Sequence, residues 1–400
     1  MSTPDFKPPA RPVSSPGLLD ALARQHERLN QALEAVPACM WRNQYHPDLS
    51  PIGWHYAHCC FIEAVWLRER ILGLAPPRPR DWHDLYFPEI SPKWRRGGRL
   101  PAPDRLIRWG RERQSRHRDW LVRHADILDH PLMAGEYLTG FLAQHHAMHL
   151  ESLAQVRWFA GLQGPDPAHS EPRRQDPEPP SQTWLEWDVV QTMVGSDDVL
   201  AFDNEQGVHG KELTPFAIRR DPVTNGEWQA FIQEDGYRRP ELWSREGWDW
   251  RSAHDIQAPL GWRESGTDID LQVLPEGTVQ RNADAPVVGI SRFEAEAFAH
   301  WAGARLPHEH EWEHAQREGA LRGTGRVWEW CENPFAPYPG FRPFPYDEYS
   351  APWFDGRHYV LRGGSDWSDP LLKRPSMRNF FTPEKRHVFA GVRLARTMEP

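Results

Sequence analysis

Residues 144–153 read QHHAMHLESL, with three histidines and a glutamate inside positions 145–151. The stretch sits within a longer periodicity. Tyr137, Leu138, Phe141, Leu142, His145, His149, Leu153 and Val156 recur at three- and four-residue intervals, the spacing of one face of an α-helix. On that helix His145 and His149 stand one turn apart, with Cβ atoms about 5–6 Å from one another, so two imidazoles can reach one ion. His146 is turned about 100° away and reads as a surface or packing residue. The predicted helix runs from about Leu132 to Gly161 and carries two histidines on its apolar stripe. An imidazole facing a bundle interior needs a hydrogen-bond partner or a metal.

Upstream of this helix the same periodicity returns. Leu18, Leu19, Leu22, Leu29, Leu33 and Val36 outline a first helix, and a third is predicted from Asp104 to Ile127. Between them, Ser50–Pro51 reads as an N-cap followed by proline at the first helical position, opening a helix that ends near Gly73. Its stripe is Trp54, His58, Phe61, Ile62, Val65 and Trp66, so His58 faces inward and His55 lies on the shoulder, about 60° off centre. A Pro-rich crossover at 74–103 joins the second helix to the third. Four amphipathic helices with one long connection predict a four-helix bundle over 17–162. His58, His145 and His149 then form a three-imidazole set with open positions, which suits Zn2+ for hydrolysis or Fe2+ for oxygen chemistry. Glu151 is a candidate supporting contact or a solvated charge.

The rest of the chain has a different texture. Residues 1–16 are polar and Pro-rich, read as a disordered arm, and lack the apolar core of a signal peptide. Residues 163–184 are rich in proline and charge and read as a linker. Beyond them, short apolar runs alternate with Gly, Pro and Asn turns and with two predicted helices at 224–234 and 291–303. The fold class is therefore α+β in two domains, the second spanning 185–400 with much irregular structure. The net charge of −9 argues against a nucleic-acid partner, which would need a concentrated basic face. No run of 18 apolar residues occurs, so no membrane partner is expected. Four cysteines without a CxxC pair point to a reducing, cytoplasmic setting.

Two sets of motifs resemble known families. SPIGWHYAHCCFIEAVWL together with HHAMHLE is similar to the DinB-like helical domain of ergothioneine-type sulfoxide synthases. The pieces DPVTNGEWQAFI, APVVGISRFEAEAFAHWAGARLPHEHEWEHA, GRVWEWCENPFAPYPGF, VLRGGS and RNFFTPEKRHVFAGVRLAR follow in the order of the formylglycine-generating-enzyme-like domain, whose fold is related to C-type lectins. The resemblance implies nonheme Fe(II) held by His58, His145 and His149, O2 as co-substrate, and hercynine, the Nα-trimethylated histidine, as the small molecule modified. It implies that Arg378, Asn379, Phe380 and Phe381 lie against hercynine, with Trp330 as a further aromatic face and Trp328 as core or wall. A quaternary ammonium has no hydrogen-bond donor, so aromatic faces are its natural partners. Family members also use a tyrosine as proton donor. Tyr338, Tyr346 and Tyr349 are the candidates, each also suited to anchoring a loop. The C-terminal domain holds only Cys331, so the copper chemistry of formylglycine-generating enzymes, which needs a cysteine pair, is not expected. It is expected to serve as lid and substrate wall at the domain interface.

The stretch LYFPEISPKWRRGGRLPAP departs from the thiol-gripping segment of thiol-using relatives and looks more like the selenoneine-synthase branch, whose chalcogen donor is a selenosugar. Arg95, Arg96 and Arg99 could bind an anionic substrate group or form a solvated basic turn. The expected reaction is carbon–selenium bond formation on hercynine. The alternatives are carbon–sulfur bond formation with cysteine or γ-glutamylcysteine, a zinc-dependent DinB-like thiol transferase or hydrolase using the same histidines, and a binding module.

Overall fold

The computed structural model describes residues 17–74, 80–124, 130–164, 180–264 and 270–399. The expected disordered arm and most of the expected linker lie outside them. The chain divides into two compact units: Met1–Pro165 with Asp198–Leu200, and Asp166–Asp197 with Ala201–Pro400.

The first unit is helical. Its elements are α1 (Leu18–Glu34), α2 (Ile52–Ala64), α3 (Arg80–Tyr86), α4 (Lys93–Arg99), α5 (Pro103–His124) and α6 (Tyr137–Gln163). Helices α1, α2, α5 and α6 pack on one another as a four-helix bundle around Leu22, Leu29, Leu33, Phe61, Leu106, Leu121, Leu138, Leu142 and Val156. A buried polar ladder crosses it. Tyr56 Oη donates to Asn30 Oδ1 at 2.9 Å, Asn30 Nδ2 to Gln114 Oε1 at 3.0 Å, and Gln114 Nε2 to Cys60 Sγ at 3.6 Å. These bonds satisfy the polar groups and tie α1, α2 and α5 to one register.

Three expectations need correction here. The apolar stripe on α2 is only part of what is buried, since every residue of the helix except Ile62 is buried. The reason lies in the crossover, which folds into α3 and α4 and packs both against α2. The N-cap of α2 is Pro51, not Ser50, whose hydroxyl accepts a 2.6 Å hydrogen bond from Arg96 Nη1. Helix α6 begins at Tyr137 and not Leu132, because Gly135 and Glu136 take φ of 59° and 61°, left-handed values that interrupt a helix. Beyond α2 the chain continues as a wide π-helical segment, Val65–Ile71, that carries Trp66 into the core.

The second unit is mixed. Its strands are β1 (Trp184–Trp187), β2 (Val190–Val194), β3 (His209–Leu213), β4 (Phe216–Arg219), β5 (Trp262–Glu264), β6 (Asp270–Leu274), β7 (Gly277–Gln280), β8 (Trp328–Pro334), β9 (Tyr359–Arg362), β10 (Asn379–Phe381), β11 (Ala390–Gly391) and β12 (Ala395–Thr397). They form small sheets ordered β1-β4-β12, β10-β9-β8-β11, β2-β3 and β5-β6-β7. The helices are α7 (Asn225–Gln233), α8 (Arg245–Ala253), α9 (Arg292–Trp301) and α10 (Glu309–Arg317). The two predicted helices correspond to α7 and α9. Each begins with a capping box, Thr224 with Glu227 and Ser291 with Glu294. One core cluster gathers Phe216, Ile218, Trp312, Leu321 and Ala395. Sheets this small bury little, and buried ion pairs cross-link the loops between them. Arg393 grips Glu329 through Nε at 2.7 Å and Nη2 at 2.8 Å, while Trp312 Nε1 donates to the same carboxylate at 2.6 Å.

Candidate metal centre

His58 projects from the middle of α2, and His145 and His149 from consecutive turns of α6, the helix packed against it. One ring nitrogen from each lies within 4.8 Å of the other two. His58 Nε2 stands 3.2 Å from His145 Nε2, and the ring centroids of His149 lie 4.8 Å from His58 and 4.6 Å from His145. Imidazole nitrogens bound at about 2.1 Å to one ion are separated by roughly 3.0 Å at right angles and 3.4 Å in a tetrahedron. The 3.2 Å spacing falls within that range. The donor set therefore fits a divalent ion of zinc or iron type and leaves coordination positions for other molecules.

Supporting contacts set the lone pairs. His58 Nδ1 donates to the Tyr86 carbonyl at 2.7 Å, which leaves Nε2 unprotonated and turned toward His145. The His58 ring stacks on Trp54 at 4.6 Å, the Trp54 indole N–H donates to the Leu85 carbonyl at 2.7 Å, and the Arg96 guanidinium lies over the Trp54 ring, 3.8 Å from its centroid. Burial, reinforced by neighbouring cationic and imidazole groups, holds His58 and His55 down at about 3. The same cause holds His145 and His149 well below the ordinary histidine range. These rings are neutral at physiological pH, the form that ligates metals.

Of the two readings of His146, surface or packing, the structure takes the second: it is fully buried, and its Nε2 donates to Glu63 Oε1 at 2.6 Å. Glu63 also accepts from His117 Nδ1 at 2.7 Å and from His26 Nε2. Burial pushes this carboxyl up, but the three imidazoles override it and hold it well below the usual range. Each of these imidazoles has the carboxylate as its hydrogen-bond partner, so the cluster forms a buried hydrogen-bond network. Cys59 Sγ also lies within 4.8 Å of nitrogens of His145 and His146. Burial, with Cys60 and Glu63 nearby, raises its thiol well above the ordinary value, so it remains protonated and a poor ligand. Glu151 is buried. The sequence reading overlooked Glu63, although a carboxylate inside the apolar run FIEAVW was its signal, since buried acids are rare without partners.

Arg96 is 3 % exposed, and its guanidinium donates to the Ser91 and Pro88 carbonyls and to Ser50. It braces α4 against Trp54 and does not form an anion-binding turn. Arg95 is exposed and lies 4.4 Å over the neighbouring Trp94 ring.

Within the second unit the sequence-selected residues separate into two groups. Arg378 and Trp330 are internal. Arg378 Nε and Nη2 clasp Glu309 at 2.8 and 2.9 Å, while Nη1 and Nη2 also donate to the Asn204 and Ala336 carbonyls. Trp330 is fully buried and donates to the Ile290 carbonyl at 3.1 Å. Neither presents an open face to a ligand. Asn379, Phe380 and Phe381 form β10 and are half-buried. Phe380 stacks on Phe335 at 4.1 Å, with Trp353, Tyr349 and His358 at 6.3–6.5 Å around it. Phe381 meets His387 edge-on at 5.5 Å. Tyr338 is buried, with Oη 3.4 Å from Glu309 Oε2 and Arg378 4.1 Å over its ring. Tyr346 is half-buried beside Tyr349 at 6.2 Å.

Comparison with known proteins matches this architecture. The DinB superfamily matches residues 21–153, and the sulfatase-modifying factor enzyme 1-like domain matches residues 175–324 and 319–398. Hercynine oxygenase of Mycolicibacterium thermoresistibile is 33 % identical, covering 88 % of this chain and 89 % of that protein. Hercynine oxygenase of Mycobacterium tuberculosis is 32 % identical over 88 % of this chain and 92 % of its own length. Ergothioneine biosynthesis protein 1 of Schizosaccharomyces pombe is 22 % identical over 80 % of this chain and 46 % of that protein.

Proposed function

The chain belongs to the hercynine oxygenase family, and from that premise we propose that it is an O2-dependent oxidoreductase joining a chalcogen to the imidazole of hercynine at a ferrous ion held by His58, His145 and His149. The observation that supports this most directly is the convergence of three imidazoles from α2 and α6 within 4.8 Å of one another, with the His58–His145 pair at the spacing of cis ligands. A ferrous ion held there would supply the one-electron chemistry that lets O2 react with closed-shell molecules.

The overall change balances with one O2. A ring C–H and a chalcogen–H are lost, a carbon–chalcogen bond forms, one oxygen atom ends on the chalcogen and the other leaves as water. The protein's own groups bind, orient and deliver protons. The neutral histidines present lone pairs. Asn379, Phe380 and Phe381 are the proposed hercynine contacts, because the half-buried Phe380 with Trp353 and Tyr349 supplies the aromatic faces a trimethylammonium group prefers. Tyr338, whose hydroxyl is directed at Glu309, and Tyr346, half-buried beside Tyr349, are the proposed proton donors. Cys39, Cys59, Cys60 and Cys331 are free thiols, which supports a cytoplasmic setting. No helix among the described residues is long and apolar enough to cross a membrane.

For the donor we propose a selenosugar, giving the selenoneine branch of the chemistry. Support comes from the 85–103 segment, where Arg96 is engaged inside the fold and does not provide a clamp for an amino-acid carboxylate. A thiol donor is the second reading, favoured by relatives whose names specify hercynine oxygenation and ergothioneine biosynthesis. Anaerobic loading with Fe(II) and hercynine, followed by O2 with either a selenosugar or a cysteine-based thiol, decides between them by product mass. Absence of a hercynine-derived product with either donor overturns the assignment.

A further inference from the structure

The fourth histidine of the cluster, His55, carries an inference that rests on the metal reading above. His55 is 6 % exposed and sits on α2, three residues before His58. Its Nδ1 lies 2.8 Å from His149 Nδ1, a full-strength hydrogen-bond distance, and the two rings are 5.1 Å apart at 55°. Its own Nε2 is buried and makes no well-formed hydrogen bond, with the Ser50 carbonyl in the vicinity.

A contact between two Nδ1 atoms requires one to donate and the other to accept. A ligating imidazole has one N–H and one lone pair, and a ring that accepts through Nδ1 carries its own proton on Nε2. If His55 donates, His149 must carry its proton on Nε2 and has no lone pair left for an ion. If His149 donates, its Nε2 lone pair is free, and His55 carries its proton on Nε2, next to Ser50. Only the second arrangement permits His149 to ligate.

We propose that His55 is a positioning residue for the metal centre: it accepts the His149 Nδ1–H and so fixes His149 as the ligating Nε2 tautomer. The other two ligands have comparable anchors, a backbone carbonyl for His58 and a second imidazole for His145. His58 Nδ1 is held by the Tyr86 carbonyl, and His145 Nδ1 lies 3.4 Å from His146 Nδ1, whose other nitrogen donates to Glu63. The centre thus has an outer layer in which an imidazole does for His149 what a carboxylate or carbonyl does in other metal sites.

The test uses the full-length protein stripped of metal and titrated with Co(II), read by its visible absorption, with circular dichroism as a check on folding. His55→Leu removes the acceptor and is expected to weaken Co(II) binding by about 10–100-fold and to shift the absorption bands. His55→Asn, whose side-chain oxygen can accept the same proton, is expected to recover most of the affinity. In the metal-free wild type, nitrogen-15 resonances should report His149 protonated on Nδ1 and His55 on Nε2, a measurement that needs no variant. Opposite tautomers, or a folded His55→Leu that binds Co(II) as tightly as wild type, overturn the proposal while leaving the metal site standing. A wild type that binds neither Co(II) nor Fe(II) overturns both.

Discussion

Glu63 on α2 accepts a 2.7 Å hydrogen bond from His117 on α5, 54 residues further along the chain. The same carboxylate receives His26 from α1 and His146 from α6, so a single side chain is bonded to all three of the other bundle helices. Replacing it with leucine would leave three buried imidazole donors without an acceptor. We expect Glu63→Leu to destabilise the helical unit by about 3–5 kcal/mol, the usual cost of breaking a buried charged network. The thermal transition followed at 222 nm measures this, and a loss below about 1 kcal/mol would show that the network does not hold the bundle together.

The ligand histidines should behave differently from Glu63. His58→Ala, His145→Ala and His149→Ala each remove one of three donors from a site that is otherwise intact. Each is expected to lower metal affinity by more than the roughly 10–100-fold that loss of a supporting contact costs, and to abolish turnover. Metal content after dialysis and the far-ultraviolet spectrum are the readouts. Any of the three that retains metal and activity leaves the ligand set.

Gly110 of α5 lies directly against Tyr56 of α2. A methyl group there would fall 2.6 Å from Cε1 and Cζ of Tyr56, a fully buried ring anchored through its hydroxyl to Asn30. Alanine gains about 1 kcal/mol of helix propensity over glycine, against about 1–3 kcal/mol for overpacking. The ring cannot retreat, so overpacking wins and Gly110→Ala should lower the melting temperature. Removing the hydroxyl in the double variant with Tyr56→Phe will not restore it, since the ring carbons clash as well as the hydroxyl.

Acid should weaken the second unit through Glu309. Burial pushes its carboxyl up, but Arg378 and Arg362 outweigh that and hold it at about 2, against 4.5 when unfolded. A depressed folded value means stabilisation that is complete above about pH 5 and lost as pH falls through 2, roughly 3 kcal/mol in all. Unfolding titrations between pH 6 and 2 should show this dependence in wild type and a shallower one in Glu309→Gln.

The sequence reads well wherever spacing alone sets direction. His145 and His149 meet because four residues make one turn, and His58 joins them because it centres an apolar stripe. Capping pairs at Thr224 and Ser291 mark α7 and α9 for the same local reason. Features that depend on distant partners are not legible. Nothing near His146 reveals that the side it faces is filled by Glu63 of another helix. Helices α3 and α4 are seven residues each in a Pro-rich stretch, too short to form without the packing against α2 that also buries its outer face. Arg96 and Arg378 look like ligand-binding arginines until Ser50 and Glu309, 46 and 69 residues away, occupy them. Helix α10 was missed because its cap is His308, an unusual residue for that position.

Three uncharged rings contribute nothing to neutralise a doubly positive ion. Unlike centres that include an aspartate or glutamate, this one leaves the whole electrostatic deficit to incoming molecules. With an ion held by His58, His145 and His149, a thiolate or selenolate donor would supply that missing negative charge, and by thermodynamic reciprocity the ion would be gripped harder once the anion had arrived. The resting protein should therefore part with its metal readily to a chelator, and hold it far longer when the deprotonated donor is present.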